Sequence, residues 1–225
     1  MIPGPTYVYA CPDCQLRVTK GSLASFNTFG ATHYSDLRID APMRPSFPEI
    51  TKCERCDCIF WLDEETQVEG VIKHQMADFY DDTHQTSEVK NPAFGDQFEL
   101  HPAKELDQDD LKDALLMKVY RDLDDEHYLR RHLLWSFHKQ LENGTITREE
   151  LNENKAYLAN IQSFFHLIEA DPDSRPFQAE LMRFAGKFEL ALEILEPFVD
   201  EYMGPILGRI HERCLERNRD VFTLD

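Results

Sequence analysis

Cys11-Pro-Asp-Cys14 and Cys53-Glu-Arg-Cys56 are two Cys-x-x-Cys pairs in the first quarter of a 225-residue chain. Two residues between cysteines allow a tight turn to direct both sulfurs to one point, and two such turns supply the four thiolates of a tetrahedral zinc site. We therefore expect Cys11, Cys14, Cys53 and Cys56 to bind one structural zinc ion. Since protein would fill all four positions, no open position remains for water, and catalysis by this metal is not expected.

The residues that flank the cysteine pairs favour β-strands. Thr6-Tyr-Val-Tyr and Leu16-Arg-Val-Thr border the first pair, and Cys58-Ile-Phe-Trp-Leu follows the second; these stretches are rich in β-branched and aromatic residues. A redox-active Cys-x-x-Cys would instead open a helix, and a pair of merely buried thiols is the other alternative. The interpretation we favour is a small β zinc ribbon over residues 1–62, stabilised largely by its metal.

Two cysteines stand outside the pairs. In an extended strand Cys56 and Cys58 point to the same side, so Cys58 is an alternative ligand to Cys56. The favoured alternative makes Cys58 a small buried residue beside the site. Cys214 lies in a helical stretch, and we expect a core or boundary residue there.

The chain is strongly acidic, with 42 acidic and 24 basic residues and a net charge of -18. Residues 1–62 carry six of each, so the whole excess lies in residues 63–225. Such a charge repels phosphate backbones and anionic membrane surfaces, so neither nucleic acid nor membrane is expected as a partner. The acidic helical half favours a protein or peptide partner of basic character; the alternative is that the acidity serves solubility alone.

The sequence contains neither a membrane-spanning segment nor a recognisable secretory signal. No apolar run approaches the ~20 residues that span a bilayer. The beginning, Met1-Ile-Pro-Gly-Pro, has neither the basic nor the apolar region of a secretory signal. A cytoplasmic protein is therefore expected.

The spacing of apolar residues predicts helices from Asp107 onward. Residues 63–104 are treated as a connecting segment, with a short helix over Val68–Tyr80 as its one uncertain element. The sequence thus predicts an α+β protein, a small N-terminal β zinc ribbon followed by an all-α domain over residues 105–225. We expect six helices. The first begins at Asp107, and the third extends from the capping box Thr147–Glu150 to before Pro172, with Leu158 and Phe165 on its apolar face. The other four cover residues 125–142, 175–185, 188–199 and 205–217.

One helical hairpin has the pattern of a repeat. Ala179 and Ala191 are small residues at positions where two helices must approach closely. Gly186-Lys-Phe188 provides a turn between them, and Leu195 occupies a large apolar position of the second helix. This segment resembles a tetratricopeptide repeat, which implies a tetratricopeptide-like helical domain. The alternative is an ordinary amphipathic hairpin.

Several short motifs carry a second resemblance: Asn27-Thr-Phe-Gly-Ala31, Tyr34-Ser-Asp36, Ala41-Pro-Met-Arg-Pro45, Cys53-x-x-Cys56 with Phe60-Trp61, and Tyr128-Leu-Arg-x-x-Leu-Leu-Trp135. In these motifs the chain is similar to a family of uncharacterised bacterial proteins that join a zinc-ribbon-like, rubredoxin-type start to tetratricopeptide-like helices. The resemblance implies no activity. A rubredoxin-type knuckle usually has glycine after its second cysteine, where this chain has Gln15 and Asp57, which loosens the geometry expected around the sulfurs.

The sequence contains no established catalytic signature. There is no His-Glu-x-x-His, no phosphate-binding glycine-rich loop and no dinucleotide fingerprint. His127, His132 and His138 are five and six residues apart, which does not align them on one helix face, and the nine histidines are expected to be exposed. No catalytic or cofactor-binding residue is therefore assigned.

Three functional hypotheses follow from the sequence. The leading one is a zinc-binding, non-enzymatic protein-interaction module with a helical-repeat scaffold. The alternative is an enzyme of unknown reaction with a site between ribbon and helices, and the third is a nucleic-acid-binding regulator, which the charge disfavours. A groove lined by Tyr128, Trp135 and Phe165 would favour the first hypothesis; converging histidines and carboxylates in a deep pocket would favour the second.

Overall fold

Short β-strands surround both cysteine pairs, as the flanking residues predict. In the computed structural model, residues 1–72, 100–199 and 204–224 are described, without the side chains of residues 69–72 and 199. The strands in this part of the chain are β1 (Ile2–Pro3), β2 (Thr6–Ala10), β3 (Arg17–Lys20), β4 (Leu23–Ser25), β5 (Thr32–His33), β6 (Ile39–Asp40), β7 (Ile50–Lys52), β8 (Ile59–Trp61), β9 (Gln67–Ile72) and β10 (His101–Pro102).

Two antiparallel hairpins carry the cysteine pairs in their turns. Strands β2 and β3 pair from Tyr7 opposite Lys20 to Ala10 opposite Arg17, so Cys11 and Cys14 lie in the connection. Strands β7 and β8 pair with Lys52 opposite Ile59, which places Cys53 and Cys56 in the second connection. The β-ribbon geometry that the flanks predict is therefore present at both pairs.

The segment predicted as a connector supplies two strands to the first hairpin. Strand β9 pairs antiparallel with β2, and β10 pairs parallel with β3, giving a four-stranded sheet in the order β10-β3-β2-β9. The helix predicted over Val68–Tyr80 is wrong up to Ile72, and its remainder lies outside the described residues. The reason is physical: a short run rich in β-branched residues fits a strand as well as a helix, and the neighbouring β2 decides between them.

Helices make up the second half of the described chain. They are α1 (Gln108–Leu116), α2 (Leu123–Glu142), α3 (Arg148–Glu153), α4 (Lys155–Ile168), α5 (Arg175–Phe184), α6 (Phe188–Val199) and α7 (Pro205–Leu215), with a 3-10 turn at Pro172–Ser174. The α+β class predicted from the sequence is confirmed. Each helix in the part of the chain described is too short or too polar to cross a bilayer.

The third predicted helix is in fact two helices. Thr147 and Glu150 form the expected capping box at the start of α3. Asn154 then leaves the helical conformation (ψ 111°), and its side chain accepts a hydrogen bond from Tyr157 N to cap α4. Asparagine favours such caps because its side chain competes with the helix backbone for hydrogen bonds. As a result the buried residues of α4 include Tyr157 and Phe164, whereas the predicted Leu158 and Phe165 are half-buried.

Helices α5 and α6 form the tight hairpin that the sequence predicts. Gly186 adopts a left-handed conformation (φ +77°), and Lys187 N donates to Met182 O to close the turn. Ala179 and Ala191 are fully buried, as small residues at a close helix–helix contact should be.

The chain divides into two compact units. The strand unit contains residues 1–30 and 41–110, and the helical unit contains residues 31–40 and 111–225. Strands β5 and β6 therefore belong with the helices, although they lie between the two cysteine pairs in the sequence. The sequence-based boundaries at residues 62 and 104 do not describe this interleaving.

Candidate metal centre

The two cysteine turns have the same backbone hydrogen bonds. In each turn the first cysteine donates its N–H across the hairpin, and the residue after the second cysteine donates back to the first cysteine. The four bonds are Cys11 N to Leu16 O (2.9 Å), Gln15 N to Cys11 O (3.0 Å), Cys53 N to Cys58 O (2.8 Å) and Asp57 N to Cys53 O (2.9 Å). The two turns are thus local copies of one structure.

Gln15 and Asp57, each the residue after the second cysteine of its pair, adopt the left-handed backbone conformation that favours glycine. Both residues have φ of +60°. Both turns therefore carry backbone strain at a non-glycine residue.

The two turns bring four sulfurs together. Cys14 Sγ lies 3.4 Å from Cys53 Sγ, and Cys11 Sγ lies 3.5 Å from Cys56 Sγ. All four ligand atoms lie within 4.8 Å of one another. Four sulfurs around zinc at ~2.3 Å would be separated by about 3.8 Å, whereas a disulfide requires ~2.05 Å. The four predicted residues therefore form a possible metal site, compatible with zinc.

The site lies at the edge of the strand unit's core. Cys11 and Cys53, the first cysteine of each turn, are completely buried, whereas Cys14 is half-buried and Cys56 is exposed. The apolar residues around the buried sulfurs are Tyr9, Leu16, Val18, Phe60 and Leu62. A metal held here would connect two hairpins through the core on one side and face solvent on the other.

Burial and hydrogen bonding give the thiols different acidities in the metal-free protein. Burial raises the pKa of Cys11 to about 11. The backbone N–H of Leu16 lowers the pKa of Cys14 to about 7. Since a metal binds thiolates, binding at neutral pH must displace the proton of Cys11, while Cys14 is already partly ionised.

Cys58 lies beside the four sulfurs and outside their set. Its side chain is half-buried, packs against the same apolar core, and places Sγ 3.8 Å from Ile59 O. The sequence analysis favoured a buried residue beside the site; Cys58 lies beside the site but is half-buried. Cys214 is 1% exposed in the helical unit, which confirms it as a core residue.

Charged residues link the second cysteine turn to the chain after residue 100. Lys52 Nζ lies 2.8 Å from Asp110 Oδ1 and 3.7 Å from Asp57 Oδ1. Glu54 pairs with Lys104 and with His101 Nδ1, and the lysine is the main cause of its lowered pKa. These partly exposed ion pairs position the turn, with a modest energetic contribution each.

His138 contradicts the expectation that the histidines are exposed. It is 1% exposed, and its two ring nitrogens contact Asp36 Oδ2 (2.8 Å) and Tyr157 Oη (3.1 Å). Asp36 and Tyr157 are themselves fully buried. The three groups have the composition of an acid–base relay, but a substrate has no access to them, so their role here is structural.

This cluster of buried polar residues has only a weak signal in the sequence. Asp36 and Trp135 lie in motifs that carry the family resemblance, and the indole N–H of Trp135 donates to Asp36 O at 2.8 Å. The spacing of the histidines contained no indication of it, because the partner of His138 is 102 residues away.

Two aromatic residues of the predicted groove lie together on α2, and the third lies on α4. Tyr128 stacks on His132, with ring centroids 4.0 Å apart, and the Trp135 ring contacts the same histidine with a centroid distance of 4.8 Å. Phe165, on α4, contacts the neighbouring His166 ring at 5.9 Å. Burial lowers the pKa of His132 to about 4, so this ring is neutral at physiological pH. A groove lined by all three aromatics stays a prediction.

Comparison of the chain with protein-family models, with curated proteins and with solved structures finds no match in any of the three.

Proposed function

We propose that the protein is a zinc-binding, non-enzymatic interaction module, in which a structural four-cysteine zinc ribbon accompanies a tetratricopeptide-like helical scaffold. The observation that carries the metal assignment is the convergence of four sulfurs within 4.8 Å from two matching turns. Four thiolates in this geometry suit zinc and leave no position for a substrate. The proposal places the protein in the cytoplasm, where reducing conditions keep the thiols available.

The α5–α6 hairpin supports the scaffold part of the proposal. Its left-handed glycine turn and its two buried alanines are the features that allow helix pairs to stack closely in repeat proteins. The resemblance of the N-terminal motifs to bacterial proteins of this organisation points the same way. Stacked helix pairs offer a surface suited to a protein or peptide, and the excess of carboxylates in residues 63–225 favours a basic partner over nucleic acid or membrane.

Elemental analysis of purified, untagged protein tests the metal assignment. We expect about one zinc ion per chain. A content below half an equivalent would refute it.

A partner captured from the native host tests the charge argument through its association rate. Since the Debye length falls below ~10 Å as salt rises above 0.1 M, attraction between an acidic scaffold and a basic partner weakens, and association should slow markedly. If the association rate did not change with salt, the acidic residues would serve solubility alone, and the charge argument for a basic partner would be refuted.

A further inference from the structure

A pocket of about 410 Å³ opens on the surface of the helical unit, between α4 and the α5–α6 hairpin. Ile161 of α4 and Met182 of α5, which are 0% and 2% exposed, form part of its apolar lining. Two small residues, Ala159 and Ala185, line it as well and leave room where larger side chains would fill the space between the helices. The other four lining residues are Lys155, Leu158, Gln162 and Lys187.

The charge of this pocket is opposite to that of the chain. None of the residues lining the pocket is acidic. Lys155 and Lys187 are exposed, and in the described part of the chain neither makes an ion pair. Two unpaired ammonium groups at one pocket are unexpected in a chain with 42 acidic residues and 24 basic ones. The pocket therefore combines an apolar surface with a local excess of positive charge.

The positions of the two lysines are unfavourable for helix stability. Lys155 is the first residue of α4, and Lys187 immediately precedes α6. A cation near a helix N-terminus opposes the helix dipole and costs roughly 0.3–1 kcal/mol, whereas a carboxylate there would stabilise the helix. Neither lysine is thus explained by the folding of the helix at which it lies.

We propose that this pocket binds a short acidic peptide segment of a partner protein. One apolar side chain of the segment contacts the accessible apolar residues Leu158, Ala159 and Ala185, and carboxylates on either side of it pair with Lys155 and Lys187. This inference rests on the interaction function proposed above, and it names a site for an acidic segment within a partner whose overall charge is proposed to be basic.

The shape of the pocket favours a peptide over a small molecule. Four of its lining residues, Lys155, Ala159, Gln162 and Lys187, are exposed, so the pocket is shallow and open. Small-molecule sites enclose most of their ligand's surface, and this pocket lies near the lower end of their ~300–1,000 Å³ range. It accommodates one large side chain of a chain that passes over the surface.

A peptide pool tests the proposal directly. Octapeptides with a fixed central phenylalanine and randomised flanks are offered to the immobilised, zinc-loaded protein, and the retained peptides are sequenced. We expect aspartate and glutamate to be enriched in the flanks. The double variant Lys155→Gln/Lys187→Gln should lose this enrichment, whereas Lys139→Gln, which neutralises an exposed lysine of α2 outside the pocket, should keep it.

Affinity and stability measurements complete the test. For one retained acidic peptide, followed by fluorescence anisotropy, the double variant should bind about fivefold more weakly, since each exposed charge pair contributes about a factor of two to three. Its melting temperature should not fall, because the substitutions remove cations from helix N-termini.

Each alternative result has a definite meaning. Equal retention of acidic peptides by the double variant would overturn the pocket assignment. Retention of basic peptides by all three proteins would overturn it too, while supporting the interaction function. If none of the three proteins retained any peptide, both the pocket assignment and peptide recognition by this module would be refuted.

Discussion

Asp36 and His138 form a buried pair that attaches the β5–β6 segment to the helices. Asp36 Oδ2 accepts a hydrogen bond from His138 Nδ1 at 2.8 Å, and the two residues are 0% and 1% exposed. Backbone contacts reinforce the attachment, since Ser35 N donates to Phe222 O at 2.8 Å. A polar pair in a core is costly unless both partners are present, so this contact ties the position of residues 31–40 to the helical unit.

Replacing Asp36 with alanine should destabilise the helical unit by about 3 kcal/mol, because a buried histidine is left without its acceptor. Chemical denaturation monitored by far-UV circular dichroism measures the loss. Asp40→Ala is the matched control: Asp40 lies in the same segment but is exposed, so the change should be within about 0.5 kcal/mol. Similar losses for the two variants would show that the buried pair contributes nothing specific.

Cys53→Ser should abolish zinc binding and unfold the strand unit while most of the far-UV helical signal remains, because the helical unit has its own core. Zinc content and circular dichroism are the two measurements. Cys58→Ser is the control, since Cys58 lies beside the four sulfurs without belonging to them, and it should keep its zinc. Simultaneous loss of all helical signal in Cys53→Ser would contradict the independence of the two units.

Zinc binding should release more protons below pH 7 than above it. In the metal-free protein Cys11 has a pKa raised by burial to about 11, so it gives up a proton on binding at either pH. Cys14, whose pKa the Leu16 N–H lowers to about 7, is protonated at pH 6 and largely ionised at pH 8. Acidification therefore weakens binding, and zinc-dependent stability is lost as pH falls.

Calorimetric titration of the metal-free protein in buffers of different ionisation enthalpy counts these protons. Release at pH 6 should exceed release at pH 8 by nearly one proton from Cys14, about 0.8 for a pKa near 7. If equal numbers of protons were released at the two pH values, the pKa of Cys14 would not lie near 7.

The features predicted correctly from the sequence are those that depend on neighbouring residues. The two cysteine hairpins, the capping box at Thr147 and the turn at Gly186 each follow from a few consecutive positions. Strand β9 was missed because its conformation depends on pairing with β2, more than fifty residues earlier. The break at Asn154 was missed because one non-helical residue hardly disturbs the apolar periodicity.

The buried pair of Asp36 and His138 belongs to the same class of failure. Its residues are far apart in the chain, and an aspartate in a turn or a histidine in a helix is ordinarily exposed. No local pattern distinguishes them. The two cysteine pairs are also far apart in the chain, but the four-cysteine site was predictable. Each Cys-x-x-Cys turn is a recognisable local pattern that supplies two thiolates, and a tetrahedral metal site needs two such turns.

Asp57→Gly should stabilise the strand unit by about 0.5–1 kcal/mol, because glycine adopts the left-handed conformation of this position without strain. The ion pair lost with Lys52 is solvent-exposed, with Asp57 84% exposed, and offsets little of this gain. Denaturation of the zinc-loaded protein measures the change. Arg55→Gly, an exposed residue of the same turn with ordinary φ, should be neutral or destabilising. Stabilisation by both substitutions would show that the strain at Asp57 is not the cause.

Gly186→Ala should destabilise the helical unit by about 2 kcal/mol, for two separable reasons. The first is the left-handed backbone (φ +77°), which costs an alanine about 1 kcal/mol. The second is space: an added Cβ would lie 3.2 Å from Nη1 of Arg219, whose Nε donates to Phe184 O at 2.8 Å. Moving the guanidinium away strains that hydrogen bond, worth roughly 1 kcal/mol.

Gly144→Ala isolates the backbone contribution. Gly144 has a similar φ (+72°), and an added Cβ would meet no atom within 4 Å. Its cost should therefore be only about 1 kcal/mol by the same denaturation assay. The difference between the two variants measures the contact with Arg219, and Arg219→Ala should remove it. If the two alanine variants are equally destabilised, the Arg219 side chain moves aside freely and its hydrogen bond to Phe184 does not stabilise the α5–α6 turn.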